Sequence, residues 1–202
     1  MEIEITQEEG DRLEFELEDV SPEFANALRR TMIGDVPTLA IEEVRVTENN
    51  SGLFDEILAH RLGMVPWEFD PEQYDLPGEC DCEDGCPNCQ VEMALQKEGG
   101  GEVTAEDISV PSDDVDPANP GTKVVELQED GKLDLEMTAQ LGMGRDHAKW
   151  QAANASYSYE DDTFHFSVES VSGLDPRTLV SQAVERLEDR LEEFEESVEE
   201  NL

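Results

Sequence analysis

Positively charged residues are scarce in this chain of 202 residues. Only 13 residues are Lys or Arg, against 52 Asp and Glu, which gives a formal net charge of -39. Such a charge repels a phosphate backbone, so we expect no direct binding to nucleic acid. At about 1 M ionic strength the Debye length falls to roughly 3 Å, and surface carboxylates then hardly repel each other. We therefore interpret the acidity as that of a halophile's protein.

Long apolar runs are also missing from the chain. No segment approaches the roughly 20 apolar residues of a membrane span, and the first residues alternate instead of forming a signal-peptide core. These features predict a cytoplasmic protein without membrane contact. Hydrophobic residues still make up 37% of the chain, so it has enough apolar side chains for a core and is not a disordered acidic tail.

Cysteine is absent outside one stretch, ECDCEDGCPNCQ at residues 79–90, where the spacing is C-x-C-x3-C-x2-C. In a reducing compartment clustered thiols favour a metal over disulfides. An iron-sulfur cluster commonly uses a different spacing, and free redox thiols do not require four residues. A catalytic zinc keeps an open position, which four thiolates do not leave. The sequence therefore predicts one structural zinc ion, bound by Cys80, Cys82, Cys86 and Cys89.

Recognisable catalytic motifs are missing as well. The chain contains no GxSxG, HExxH or GxxxxGK[ST] pattern, and its three histidines are far apart in sequence. We expect His60, His147 and His165 to be structural or exposed. The chain by itself is therefore not predicted to be an enzyme.

Periodicity predicts a mixture of strands and helices. Alternating residues indicate a hairpin over residues 3–17 and another on both sides of EDD at 160–162. Ser21 and Pro22 are an N-cap and first residue typical of a helix that ends at Gly34. A further helix is expected over 53–62, and strands are expected over 39–46 and at VEMAL, KVVEL and KLDLEMTAQL.

A long C-terminal helix is predicted from Asp175 and Pro176 onward. Its apolar residues follow a spacing of four and three, typical of a narrow heptad seam that packs on a partner helix. The alternative is a helix packed along its own sheet with a frayed acidic end, and the spacing alone does not decide between them. The seam residues are Val180, Val184, Leu187, Leu191, Phe194 and Val198.

Four segments together resemble the archaeal alpha-like assembly subunit of DNA-directed RNA polymerase, whose homologues are the third-largest eukaryotic subunit and bacterial alpha. FANALRRTMIGDVPTLAIEEV at 24–44 resembles the signature at that family's dimerisation surface. HRLGMVPW at 60–67, the four-cysteine loop and GRDHAKWQAANA at 144–155 follow in the family's order. The resemblance covers nearly the whole chain.

The resemblance implies an α+β fold with two domains. Residues 1–46 and 150–202 would form a discontinuous dimerisation domain of the alpha-subunit type. Residues 47–149 would form an inserted, mainly β domain that carries the zinc loop.

The resemblance further implies a non-catalytic scaffold that pairs with subunit L and then gathers the large catalytic subunits and the small zinc subunits N and P. The implied dimer interface consists of Phe24, Asn26, Ala27, Leu28, Arg29, Arg30, Met32, Val180, Val184, Leu187, Leu191 and Phe194. Arg29 and Arg30 either hold carboxylates of a neighbour bidentately or only balance local acid. A basic and aromatic loop is expected to contact a large subunit, unless it is an exposed loop without a partner; its residues are Arg145, His147, Lys149 and Trp150.

One departure from the family pattern limits the cofactors. Many archaeal members carry a ferredoxin-like domain before the last hairpin, whereas here Asn154 is followed directly by ASYSYEDDTFHF without a cysteine. We therefore expect no iron-sulfur cluster. A hypothesis of another class is a free-standing acidic zinc protein with a regulatory role, which explains the cysteines but gives the NALRR helix and the heptad seam no role.

Overall fold

A computed structural model of the chain describes residues 1–83 and 85–201. In this part of the chain the helices are α1 (Pro22–Gly34), α2 (Asp55–Gly63) and α3 (Pro176–Asn201). The strands are β1 (Glu2–Glu9), β2 (Arg12–Glu18), β3 (Pro37–Asn49), β4 (Trp67–Glu68), β5 (Gln90–Glu98), β6 (Gly101–Thr104), β7 (Asp116–Pro117), β8 (Lys123–Leu127), β9 (Lys132–Met143), β10 (Ala153–Glu160) and β11 (Thr163–Ser170).

The first compact unit consists of Met1–Val36 and Met143–Leu202. Its sheet has the order β1-β2-β11-β10, and each pair of neighbouring strands is antiparallel. Alternate residues of β2 and β11 face the core, where the rings of Phe15 and Phe166 stack with centroids 4.9 Å apart. Helix α1 packs on β10 and α3, while α3 also packs on β11 and β2. Both predicted hairpins and the long C-terminal helix are confirmed.

Strand β1 forms the edge of this sheet and is exposed along its whole length. Two of its four glutamates face glutamates of β2, because Glu2 lies opposite Glu18 and Glu4 lies opposite Glu16. Like charges directly opposite each other destabilise a strand pair. Ile3 alternates with these glutamates and remains 62% exposed, so β1 adds little buried area of its own.

Helix α1 begins and ends where its sequence signals predict. The Ser21 side chain accepts a hydrogen bond from the Phe24 backbone N–H at 3.3 Å, and Pro22 is the first helical residue. After Gly34, the backbone N–H of Asp35 donates to the Thr31 carbonyl at 2.9 Å. This hydrogen bond therefore fixes the point at which the chain leaves helix α1.

The second compact unit, Pro37–Gly142, is mainly β. It contains the sheet β3-β9-β5 and the two-stranded pairs β4-β7 and β6-β8. Helix α2 packs on β3 and β8. The core of the unit includes the fully buried side chains of Trp67, Leu95, Leu135 and Met137. The predicted combination of helices with a mostly β portion is therefore confirmed.

The boundaries between the two compact units differ from the predicted domain boundaries. The prediction of a boundary after residue 46 falls inside β3, which continues to Asn49. The prediction of a boundary before residue 150 falls inside the 3₁₀ turn Ala148–Trp150. The structure instead divides after Val36 and after Gly142. The reason is that β3 and β9 are neighbours in one sheet, which keeps them in the second unit.

Candidate metal centre and interaction surfaces

The four cysteines come together in the loop that precedes β5. The Sγ–Sγ distances are 3.6 Å for Cys80 and Cys86, 3.5 Å for Cys82 and Cys89, and 3.9 Å for Cys86 and Cys89. All four sulfur atoms lie within 4.8 Å of one another. Asp84, between the two cysteine pairs, lies outside the described residues.

Backbone hydrogen bonds form one turn that ends at Cys80 and another that joins Cys86 and Cys89. The N–H of Cys80 donates to the carbonyl of Leu76 at 3.1 Å, and the N–H of Cys89 donates to the carbonyl of Cys86 at 3.0 Å. Gly85 lies between the pairs with a φ of +93°, a left-handed conformation that a residue with a side chain rarely adopts. This glycine allows the chain to reverse so that both pairs face the same point.

The geometry fits a tetrahedral thiolate metal site. A Zn–S distance of about 2.3 Å in a tetrahedron requires sulfur atoms roughly 3.8 Å apart. The three separations given above, 3.5 to 3.9 Å, bracket this value, and the other pairs lie within 4.8 Å. A disulfide needs about 2.05 Å, so the thiols are not paired covalently. The backbone N–H of Asn88 lowers the pKa of Cys86, whereas the pKa of each of the other three thiols is raised. Binding of a metal ion would therefore release protons from these thiols. The cluster can hold an ion such as zinc.

The predicted interface residues of α1 divide into two groups. Phe24 is 37% exposed, and Arg30 also lies on the surface. Leu28 and Met32, however, are only 3% and 0% exposed, because they pack into the core of their own unit. Their assignment to a surface that meets a partner is therefore corrected. The remaining predicted residues of this helix are half-buried: Asn26, Ala27 and Arg29.

Helix α3 packs on its own unit with a face that does not include the heptad seam. Leu179 and Ala183 are fully buried. The seam residues Val184, Leu191 and Phe194 are instead 46%, 69% and 67% exposed. The remaining seam residues are half-buried: Val180, Leu187 and Val198. The described part of the chain therefore uses the N-terminal half of α3 for its own core and leaves three of the six seam residues exposed.

The loop predicted to contact a large subunit is only partly on the surface. Arg145 and His147 are exposed, but Trp150 is buried, with 7% of its surface exposed. The Nζ of Lys149 lies 4.3 Å from the centroid of the Trp150 ring. His147 Nδ1 accepts the backbone N–H of Lys149 and caps the turn. The prediction that Trp150 contacts a large subunit is therefore corrected, because this side chain is buried and supports the loop instead.

Two residues that the sequence patterns did not single out join this loop to both helices. Asp35, just after α1, pairs with Arg145 at 3.1 Å and with Arg190 of α3 at 2.8 Å. The sequence does draw attention to Arg190, because it is one of few cations in an acidic helix. The spacing of residues along the chain, however, does not show that Arg190 pairs with Asp35.

A close backbone approach holds the loop against α1. The Arg145 N–H donates to the Gly34 carbonyl at 3.1 Å. A Cβ added to Gly144 would lie 2.6 Å from the carbonyl oxygen of Ile33. The loop therefore needs glycine at this position.

A comparison with family models identifies the family. The model described as the RNA polymerase Rpb3/RpoA insert domain matches residues 44–160, more than half of the chain. The chain belongs to this Rpb3/RpoA family. The match contains the four-cysteine loop and most of the second compact unit.

Similar proteins carry names that agree with the Rpb3/RpoA match. DNA-directed RNA polymerase subunit Rpo3 of Methanothermobacter thermautotrophicus is 42% identical over 163 residues, which are 79% of this chain and 62% of that protein. Rpo3 of Methanosarcina acetivorans is 44% identical over 157 residues, or 77% of this chain and 59% of the relative. Rpo3 of Pyrococcus furiosus is 41% identical over 160 residues, or 79% and 59%. The chain thus spans about three fifths of the length of these relatives.

The described helices were also compared with the requirements of a membrane span. None of those helices within residues 1–83 and 85–201 is both long and apolar enough to cross a bilayer.

Proposed function

We propose that this chain is a non-catalytic assembly subunit of DNA-directed RNA polymerase. The observation that carries the proposal is the identity of 41–44% to proteins named Rpo3, sustained over 72–79% of the chain. The complex would be the enzyme, and this subunit would supply surfaces to it and no reacting group. The rival hypothesis of a free-standing zinc regulator receives no support from these relatives.

In the proposed assembly the first compact unit is the dimerisation domain and its partner is the smaller subunit L. The exposed seam of α3 supports this role, because three large apolar side chains on one helix are left without cover: Val184, Leu191 and Phe194. Apolar area of this kind is typical of a protein interface. Phe24 and Arg30 of α1 are the exposed members of the predicted surface on that helix.

The insert domain would carry one structural zinc ion and no iron-sulfur cluster. Cys80, Cys82, Cys86 and Cys89 would hold the ion, whose chemical contribution is to cross-link a loop that has few apolar residues of its own. The large catalytic subunits and the small zinc subunits N and P are the proposed further partners. Arg145, His147 and Lys149 are the proposed contacts with a large subunit.

The proposed setting is the cytoplasm of a halophile. Reduced cysteines and a net charge of -39 agree with that setting. The internal ferredoxin-like domain of many archaeal members has no counterpart before the last hairpin, so the chain would be a short form of the archaeal alpha-like subunit.

The test is to express the chain in high salt with and without a subunit L, and to measure mass by light scattering together with zinc content. We expect a one-to-one heterodimer with about one zinc ion per complex. A stable zinc-bound species that ignores the small subunit would refute the scaffold proposal.

A further inference from the structure

The two halves of helix α3 differ in how the first unit holds them. The buried residues of the helix all lie in its first half: Pro176, Leu179 and Ala183. Farther along, Arg190 ties the helix to Asp35 at 2.8 Å. Every residue of 191–201 is exposed except Val198, which is half-buried. We call residues 191–201 the distal segment, and the core of the first unit does not cover it.

The distal segment carries negative charge and no positive charge. Six of its eleven residues are glutamate, and none is Lys or Arg. Glutamates four positions apart lie on one side of a helix with Cβ atoms about 5–6 Å apart, and each such pair destabilises the helix. The segment contains three of these pairs: Glu192 with Glu196, Glu195 with Glu199, and Glu196 with Glu200. The cation that precedes it, Arg190, pairs with Asp35. Repulsion within the segment is therefore not offset by any cation of its own.

The helix dipole opposes the same residues. The C-terminal end of an α-helix carries a partial negative charge, which destabilises anionic side chains in the last turn. Glu199 and Glu200 lie in that turn, and α3 has no basic residue there. The packed first half of α3 supplies a helical nucleus, so the distal segment forms or frays according to the free energy of each added residue. Like charges without packing make that free energy unfavourable in dilute buffer.

We infer that the distal segment is a salt-dependent helix, which unwinds back to about Arg190 in dilute buffer and forms when salt screens its glutamates. Glutamate and leucine have favourable helix propensities, so removal of the repulsion is sufficient to extend the helix. At about 0.1 M ionic strength the Debye length is roughly 10 Å, which exceeds the spacing of the paired glutamates, whereas at about 1 M it is roughly 3 Å. We expect the helix to form between these two concentrations.

Formation of the distal segment also creates the outer part of the heptad seam. Leu191, Phe194 and Val198 share one side of α3 only while this segment is helical. If that side meets subunit L, pairing requires an ordered segment and becomes stronger as salt rises. An interface held mainly by ion pairs weakens with salt instead. This consequence for pairing rests on the proposed function, whereas the salt dependence of the segment itself does not.

Carbon-13 chemical shifts of the full chain, without a partner, test the inference residue by residue. The Cα shifts of residues 191–201 report the helix population of the distal segment, and that of Leu179 is the internal reference. We expect coil-like shifts in the segment at about 0.1 M KCl and helical shifts above about 1 M, with a helical shift at Leu179 throughout. Unchanged shifts in the segment between the two concentrations would overturn the inference. Simultaneous loss of helix at Leu179 would overturn it too, because the segment would then have no transition of its own.

A charge reversal separates repulsion from other effects of salt. Glu196 lies on the side of the helix opposite the seam, since successive residues are about 100° apart. Glu196→Lys makes its pairs with Glu192 and Glu200 attractive, so we expect helical shifts already at about 0.1 M KCl. The matched control is Glu129→Lys, the same change in an exposed turn of the second unit, which should behave like the wild type. Equal salt dependence in all three chains would refute the electrostatic cause.

Titration with a subunit L supplies a second readout. We expect the Kd of the wild type to fall by about tenfold or more between about 0.1 and 1 M KCl, and the Kd of Glu196→Lys to change less. A wild-type Kd that rises with salt would contradict the coupling between the distal segment and pairing. If the wild type ignores subunit L at both concentrations, the proposed heterodimer fails, while the chemical shifts still decide whether the helix depends on salt.

Discussion

Phe194 allows the seam of α3 to be tested with one substitution. The side chain is 67% exposed in the chain alone. A large aromatic side chain has about 150–250 Å² to bury, so roughly 130 Å² remains available to a partner. At about 25 cal/mol per Å² this area corresponds to about 3 kcal/mol of association free energy. Because alanine keeps part of the contact, Phe194→Ala should cost about 2–3 kcal/mol, which is roughly 30- to 150-fold in Kd.

The assay is isothermal titration of the chain with subunit L in high salt. The free energy of unfolding of the isolated Phe194→Ala chain should change by less than about 0.5 kcal/mol, because the removed atoms face solvent. Leu179→Ala is the matched control on the same helix. Leu179 is fully buried, so its truncation should lower the free energy of unfolding by about 2–5 kcal/mol.

Two results would refute this reasoning. An unchanged Kd for Phe194→Ala would mean that the partner does not cover the seam. A large loss of stability in the isolated chain would mean that Phe194 already belongs to the core, contrary to its exposure.

Three further predictions concern the metal loop, the glycine loop and the sheet edge. Cys86→Ser should reduce bound zinc from about one ion per chain to nearly none and increase amide exchange across residues 75–90, measured by atomic absorption and mass spectrometry; full retention of zinc would contradict the four-thiolate site. Gly144→Ala should lower the free energy of unfolding by about 1–3 kcal/mol, measured by thermal denaturation, because the added methyl lies 2.6 Å from a carbonyl oxygen. Gly34→Ala, whose nearest contact is 3.7 Å, should change that free energy little, and equal losses in both variants would argue against the steric explanation. Hydrogen bonds from Arg177 lower the pKa of Glu8, so the stabilisation is present above the ordinary carboxyl pKa and is lost as pH falls through the lowered value. Arg177→Gln should therefore raise the Glu8 pKa in an NMR titration, and an unchanged pKa would disprove the effect of this pair.

Local sequence patterns were sufficient to predict helix α1 and the cysteine loop. Helix α1 could be bounded from Ser21, Pro22 and Gly34 because capping and termination depend on neighbouring residues. The cysteine spacing predicted the cluster for the same reason, since a short loop constrains where its thiols can point. Strand β6, by contrast, has only four residues, GEVT, and was not predicted. So short a segment carries little periodic signal.

The sequence could not decide which side of an element is covered. Helical spacing placed Phe24, Leu28 and Met32 together, yet only Phe24 reaches the surface, because burial depends on the sheet and helix packed against α1. The ion pair between Asp35 and Arg190 could not be predicted from the sequence either. Asp35 and Arg190 are 155 positions apart, and their pairing follows from the docking of α3 on α1, which no local pattern records.

Because carboxylates of β1 and β2 face each other, the stability of the first hairpin depends on the salt concentration. In dilute buffer, at about 0.01 M, the Debye length grows to roughly 30 Å, and the repulsion across the first hairpin acts at full strength. Strand β1 then separates first, because it is exposed throughout and buries little area of its own. Its departure leaves the backbone of β2 as an unpaired strand edge, with which a strand of another chain can pair once salt screens the charge of both molecules. Desalting would thus open the protein at its amino-terminal hairpin while the net charge of -39 keeps the chains apart, and precipitation would follow only when salt is restored.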